Sequence, residues 1–66
     1  MFEYLFHYRW DDEPDSPTYE RWITADDDEE ALVKFYSERP DVYDVWYEVY
    51  REHVYADGYK TLVLDM

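Results

Sequence analysis

Residues 2–10 constrain the fold most, because an aromatic side chain occupies every second position there without a fault. One side of the alternation carries Phe2, Tyr4, Phe6, Tyr8 and Trp10, and the other carries Glu3, Leu5, His7 and Arg9. A period of two residues, with this many aromatic side chains, is typical of a β-strand. We therefore expect a strand over residues 2–10, with one aromatic face.

A second strand and a helix follow in the sequence. The acidic segment 11–17 contains two prolines and predicts a loop, and residues 18–25 alternate again, which predicts a hairpin with a long acidic tip. Asp26 can cap a helix, with Glu29 three residues later as its capping-box partner. Arg39-Pro40 should end this helix, since proline disfavours a helical residue before it.

The predicted helix has one apolar stripe and an acidic first turn. The residues expected in the buried stripe are Ala31, Leu32, Phe35 and Tyr36. Glu30 and Lys34 form a favourable i, i+4 pair. The carboxylates of residues 26–30 lie where the helix dipole favours anions.

Residues 42–55 fit two structures. As a helix they place four valines and Trp46 on one stripe, with every charge on the other side. As a strand they place Tyr43, Val45, Tyr47 and Val49 towards the core and Asp44, Trp46, Glu48, Tyr50 and Glu52 away from it. Valine and aromatic residues dominate the segment, which favours the strand.

The dipeptide Asp57-Gly58 predicts a final hairpin. Pairing across this turn would put Leu62 opposite His53, Leu64 opposite Arg51 and Met66 opposite Val49, on the core face. The fold class is then α+β: a small antiparallel sheet with one helix packed on a face, in the order ββαββ. The alternative is ββααβ. A chain of 66 residues should form one domain, residues 1–66.

Charge and composition exclude several classes of protein. The net charge is −12, yet 47% of the residues are hydrophobic and 23% are aromatic, which argues against an acidic disordered chain. Cysteine is absent, so disulfides and cysteine-ligated zinc are excluded. No apolar run is long enough for a membrane span, and like charges should repel nucleic acid and anionic lipid. We expect a cytoplasmic protein that contacts neither membrane nor nucleic acid directly.

The charge is also dense. A compact chain of this length has a radius of gyration near 11 Å, roughly 28 Å in diameter. Duplex DNA carries about 16 negative charges over that length. We therefore expect a linear charge density close to that of DNA.

Two acidic clusters are candidate binding residues for a protein partner. One lies at the helix start, and the other shares a face of segment 42–55 with two aromatic residues. The full set is Asp27, Asp28, Glu30, Asp44, Trp46, Glu48, Tyr50 and Glu52. Such a surface can stand in for nucleic acid in a basic groove of the partner; the alternative is an acidic coat that only confers solubility.

Catalytic and metal sites are not predicted. The acidic runs lack the glycine of a calcium loop, and the sequence has no phosphate loop or nucleophile motif. His7 and His53 could meet if their strands are neighbours, but we expect them to be satisfied separately. The expectation is a non-enzymatic protein without cofactor or metal.

Small size, absent cysteine, extreme acidity and an aromatic-rich α+β layout together resemble phage-encoded inhibitors that mimic DNA, and the small anti-CRISPR proteins most closely. The resemblance is one of type over the whole chain and rests on no aligned motif. It implies an inhibitor in the cytoplasm of the host bacterium that blocks the DNA-binding groove of a CRISPR-Cas surveillance complex. A restriction enzyme or a toxin is the alternative target.

A different class of function also fits the composition. The aromatic residues outnumber those that one helix can cover, among them Trp22, Trp46, Tyr50 and Tyr55. The alternative is therefore a structural or assembly domain that forms a homo-oligomer through an aromatic sheet face. The mimic is expected to be a monomer or a weak dimer.

Overall fold

The computed structural model describes residues 1–65, which form a four-stranded antiparallel sheet and one helix. The elements are β1 (Phe2–Arg9), β2 (Tyr19–Ala25), α1 (Asp28–Glu38), β3 (Tyr43–Val54) and β4 (Lys60–Leu64). The strands lie in the order β2-β1-β3-β4. The expected α+β class is confirmed, and the segment that also fitted a helix is the strand β3. No helix in residues 1–65 has the length and apolar character to cross a membrane.

The core lies between α1 and one face of the sheet, called here the helix face. The fully or nearly buried side chains in this core are Tyr4, Phe6, Tyr8, Ile23, Ala25, Ala31 and Phe35. Phe6 and Phe35 stack with ring centroids 4.3 Å apart. The even-numbered residues of β1 thus form the central row of the core, as their alternation predicts.

The helix begins one residue later than predicted. Asp27, not Asp26, is the N-cap, and its side chain accepts a hydrogen bond of 2.8 Å from the Glu30 backbone N–H. Glu30 in turn accepts a hydrogen bond from the Asp26 N–H, so Glu30 takes the role expected of Glu29. The predicted end is correct, since Arg39 is the C-cap and Pro40 follows it.

The buried stripe of α1 is narrower than predicted. Ala31 and Phe35 are buried and Leu32 packs partly against the core, but Tyr36 is 41% exposed. The helix packs mainly on the β2 side of the sheet, and a residue one position past Phe35 turns away from that contact by about 100°. The ring of Tyr36 therefore covers only the edge of Phe35, at 5.2 Å.

The β3–β4 hairpin projects beyond the rest of the molecule. β1 pairs with β3 only over residues 43–50, so residues 51–54 pair with β4 alone. Every residue from 51 to 60 is exposed. The projection gives a radius of gyration of 14.0 Å and extents of 47 × 24 × 18 Å, larger than the compact size of about 11 Å expected from the length.

The elongated shape corrects the expected charge density. Duplex DNA 47 Å long carries about 28 phosphate charges, and one of its strands carries about 14. The net charge of −12 is therefore close to that of a single strand, not of a duplex.

The register of the last hairpin differs by one residue from the prediction. Leu62 lies opposite Glu52 and Leu64 opposite Tyr50, so both leucines face away from the helix. The reason is the turn, in which Gly58 donates to the Tyr55 carbonyl at 2.9 Å and has φ +87. This is a three-residue loop closed by a left-handed glycine, instead of a two-residue turn, and one added residue exchanges the two faces of a strand. The predicted position of Met66 lies outside the described residues.

Candidate functional site

The face of the sheet opposite the helix, called here the open face, has no element packed on it within residues 1–65. Strand alternation and register place on it the side chains of Glu3, Leu5, His7, Glu20, Trp22, Thr24, Trp46, Glu48, Tyr50, Glu52, Leu62 and Leu64. Four of the predicted binding residues are in this set: Trp46, Glu48, Tyr50 and Glu52. The open face therefore mixes carboxylates with large aromatic rings.

His7 organises the centre of the open face. Its ring stacks on Trp46 with centroids 3.8 Å apart, and its Nε2 lies 2.9 Å from Glu48 Oε1. Its Nδ1 lies 4.0 Å from Glu20 Oε1. His7 is buried although it lies on the face without a helix, because Trp46 and the two glutamates cover it. The imidazole thus fixes Trp46 and Glu48 relative to each other.

A second aromatic contact crosses the open face. Trp22 on β2 and Tyr50 on β3 have ring centroids 5.3 Å apart, and Leu5 lies on the strand between them and is buried. The Tyr50 hydroxyl donates to Glu48 at 3.4 Å. Desolvation, together with the neighbouring Glu48 and Glu20 carboxylates, raises the pKa of Tyr50. Tyr50 therefore stays protonated and uncharged at neutral pH.

Asp44 lies at a β-bulge. The pairing of β1 with β3 shifts by one residue between His7 and Arg9, and Asp44 has a positive φ of 53. An aspartate tolerates this left-handed conformation better than most residues. Asp44 Oδ2 lies 2.6 Å from Arg9 Nη2, so its charge is neutralised by an ion pair.

The acidic residues at the helix start belong to the other side of the sheet. Asp28 accepts hydrogen bonds of 3.0 Å from the hydroxyls of both Tyr4 and Tyr47, whose rings lie on the helix face. Burial and the bond to Asp28 raise the pKa of Tyr4 to about 12, and the bond to Asp28, followed by burial, raises the pKa of Tyr47. Asp28 therefore ties the helix to the sheet.

Asp27 and Glu30 also have contacts within the helix. Asp27 is the N-cap, and Glu30 lies 3.0 Å from Lys34 Nζ. The hydrogen bond to Lys34 lowers the pKa of Glu30. Seven of the eight predicted binding residues thus form two groups on opposite faces of the sheet, and Asp44 lies apart from both at the bulge. The group at the helix start is used to stabilise the helix.

All six lysines and arginines have carboxylate partners. Arg21 and Arg39 both contact Glu38, and the remaining four pairs are Arg9–Asp44, Lys34–Glu30, Arg51–Asp65 and Lys60–Glu52. Five carboxylates therefore serve all six cations, and thirteen of the 18 have no lysine or arginine within 4.0 Å in residues 1–65. Eleven of these carboxylates lie in the β1–β2 loop, at the helix start and on the open face, and the other two are Asp41 and Asp57.

Sequence reasoning missed the contacts that His7 and Glu20 make. The alternation of β1 placed His7 on the correct face, but its partners depend on the register between β1, β2 and β3. His7 and His53 do not meet, because His7 pairs with Trp46 and His53 pairs with Thr61 on the projecting hairpin. No group of three or more potential metal ligands comes together in the part of the chain that the structure describes.

Comparisons with protein-family models, with curated proteins and with solved structures found no match for this chain.

Proposed function

We propose that the protein is a non-enzymatic acidic inhibitor that mimics DNA and blocks the basic DNA-binding groove of a bacterial defence complex. The observation that carries this proposal is the unequal pairing of charge: within residues 1–65 each lysine and arginine has a carboxylate partner, whereas thirteen carboxylates have no lysine or arginine within 4.0 Å. A surface of this kind attracts a basic groove over a long range and repels nucleic acid itself. A CRISPR-Cas surveillance complex in the host cytoplasm is the favoured partner.

The open face is the surface proposed to enter the groove. Glu48 is held by His7 and Tyr50, so little ordering entropy is lost when it meets a cation. Trp46 is 54% exposed and Trp22 is 43% exposed, and both lie beside carboxylates. An arginine that enters such a surface can stack its guanidinium on the indole and bond the carboxylate at the same time.

The helix start is proposed to contribute mainly long-range attraction. Asp27, Asp28 and Glu30 lie on the helix side of the sheet, away from the open face, and the bonds they accept hold the helix and its contact with the sheet. Asp44 is paired with Arg9 and likewise offers less free charge than Glu48. Glu52 also has a basic neighbour, Lys60, but at 3.8 Å this ion pair is looser than the 2.6 Å pair of Asp44 with Arg9. Among the predicted residues, Trp46, Glu48, Tyr50 and Glu52 are therefore proposed to make the direct contacts.

The experiment is capture from bacterial lysate on the immobilised protein, followed by elution with duplex DNA. The proposal expects a DNA-binding complex that DNA releases. A restriction enzyme or a toxin in the eluate would reassign the target within the same mechanism. Recovery of only proteins that DNA does not release would contradict the mechanism.

A matched pair of double variants locates the contact. Glu48→Gln with Glu52→Gln, and Asp12→Asn with Glu13→Gln, each remove two negative charges. The double variant at Glu48 and Glu52 should reduce capture strongly, because those charges lie on a regular strand. The double variant at Asp12 and Glu13 should reduce capture slightly. Equal loss from both pairs would show that only total charge matters.

A second candidate function is favoured by the exposed tryptophans. Trp22 and Trp46 on an uncovered sheet face also suit a structural or assembly domain that forms a homo-oligomer through this face. In that case Trp46→Gln should turn an oligomer into a monomer, as measured by light scattering. A monomeric wild-type protein would exclude this candidate.

A further inference from the structure

The projecting hairpin, residues 51–64, differs from the rest of the chain in charge. Residues 1–50 contain fifteen carboxylates and four arginines or lysines, a net charge of −11, whereas residues 51–66 contain three and two, a net charge of −1. The hairpin exposes apolar side chains instead, including Val54, Tyr55, Tyr59, Leu62 and Leu64. Along this hairpin a second copy could therefore approach without strong repulsion.

The outer edge of β4 has free hydrogen-bonding groups. Tyr55 donates to the Tyr59 carbonyl at 2.8 Å, and Asp65 donates to the Val49 carbonyl at 2.7 Å. In an antiparallel ladder the hydrogen-bonded pairs alternate with non-bonded pairs, so residues 61 and 63 also direct their backbone groups towards β3. The N–H and C=O groups of Lys60, Leu62 and Leu64 therefore point away from the sheet, along its free edge.

We propose that two copies of this protein associate through β4, by antiparallel pairing centred on Leu62. The pattern of outward groups is self-complementary: Lys60 bonds Leu64 of the second copy, and Leu62 bonds its own counterpart. The result is a continuous eight-stranded sheet with a two-fold axis at Leu62, the closed symmetry typical of homodimers. Leucines from both copies then adjoin on the open face.

This arrangement also keeps the acidic parts of the two copies apart. β4 runs from the hairpin tip back to Leu64, which lies opposite Tyr50. Antiparallel pairing therefore places the two acidic bodies, residues 1–50 of each copy, at opposite ends of the paired hairpins. Pairing stabilises a two-stranded ribbon that is marginal by itself, and it covers an uncharged edge, Thr61 to Leu64, which would otherwise remain open to aggregation. The inference does not depend on the proposed inhibitory function.

The test measures mass by light scattering over a range of protein concentrations. The wild-type protein should change from 8.3 kDa to about twice that mass as concentration rises, and more readily at high salt, which screens the acidic bodies. Leu62→Lys places two like charges at the axis and should raise the dimer dissociation constant tenfold or more. Val33→Lys is the control, since it makes the same change of charge at an exposed helix position and should leave the dissociation constant unchanged.

Amide hydrogen exchange gives a second, independent measurement. The Leu62 and Leu64 amides should exchange freely in the dilute monomer and become protected as the dimer forms, whereas those of Thr61 and Val63 should be protected in both. A monomer at all concentrations up to about 1 mM would overturn the proposal. So would a dimer in which the Leu62 and Leu64 amides stay unprotected, or one that Trp46→Gln abolishes and Leu62→Lys does not.

Discussion

The body of the molecule, residues 1–50, and the projecting hairpin, residues 51–64, differ in burial and in charge. Of the residues that the structure describes, the body holds all the buried hydrophobic side chains, and it carries −11 of the net charge of −12. The hairpin has almost no net charge, and all its residues from 51 to 60 are exposed. The burial of a dense aromatic core can offset the repulsion among many carboxylates. A two-stranded ribbon without a core cannot offset such repulsion, which accounts for the low net charge of the hairpin.

The largest expected effect is on stability, to which the body should contribute far more than the hairpin. Phe35→Ala removes a ring that is fully buried and stacked on Phe6, and it should lower the free energy of unfolding by about 3–5 kcal/mol. This is comparable to the whole stability of a domain of this size, so the variant should be largely unfolded. Tyr59→Ala on the hairpin, where the ring is 64% exposed, should change it by less than about 0.5 kcal/mol. Circular dichroism over a urea series tests both variants: Phe35→Ala should have lost the unfolding transition, and Tyr59→Ala should keep the wild-type midpoint. Equal midpoints for the two variants would refute the division into core and ribbon.

The next effect tests whether an acidic residue in the body is structural. Asp28→Asn removes the charge that strengthens two tyrosine hydrogen bonds. We expect the free energy of unfolding to fall by about 1 kcal/mol, even though the total repulsion between carboxylates also falls. Asp57→Asn at the hairpin tip makes the same change of charge and keeps a side-chain oxygen that accepts from the Tyr59 N–H. This variant should therefore leave the free energy of unfolding unchanged. A stabilised Asp28→Asn protein would mean that repulsion outweighs these bonds.

Salt should stabilise the body. In the described structure, twelve carboxylates of residues 1–50 have no lysine or arginine within 4.0 Å and repel one another, and sodium chloride screens this repulsion more than it weakens the exposed ion pairs. The melting temperature should therefore rise by a few degrees between about 20 mM and 500 mM sodium chloride. A melting temperature that falls over this range would show that the ion pairs dominate.

The smallest effect concerns one ion-paired glutamate of the body. Hydrogen bonds from Arg21 and Arg39 lower the pKa of Glu38 below its ordinary 4.5. A carboxyl whose pKa is lower in the folded state stabilises the fold above its unfolded pKa, and this contribution is lost as the pH falls through the folded value. Glu38→Gln should therefore lower the melting temperature slightly at pH 7, and the difference should vanish near pH 3. A difference that persists at acid pH would assign the effect to packing instead.

The sequence predicts where the strands lie better than it predicts how they pair. The alternation in β1 and β2, and the valine and aromatic content of β3, indicate these elements directly. Three consecutive aspartates, Asp26 to Asp28, can each cap a helix, so the sequence pattern does not decide which of them is the N-cap, and in the structure it is Asp27. The pattern near Asp57-Gly58 fits two loop lengths, and only the hydrogen bond from Gly58 to Tyr55 decides between them.

The sequence predicts which residues of β3 lie on the candidate site, but it does not predict the contacts that they make. Alternation alone places Trp46, Glu48, Tyr50 and Glu52 on one face of β3. The contact of His7 with Glu48 requires β1 to adjoin β3 in one register, which is a tertiary property. The role of Asp28 likewise depends on where the helix packs, so its bonds to Tyr4 and Tyr47 have no local signal in the sequence.

Competition with DNA for a purified partner tests the central claim most directly. The protein is titrated against the captured DNA-binding complex at several fixed concentrations of duplex DNA, and its apparent dissociation constant is measured by fluorescence anisotropy. Mimicry of DNA at a basic groove predicts mutually exclusive binding, so the apparent dissociation constant should rise in proportion to the DNA concentration and steeply with salt. A dissociation constant that saturating DNA leaves unchanged would contradict the account.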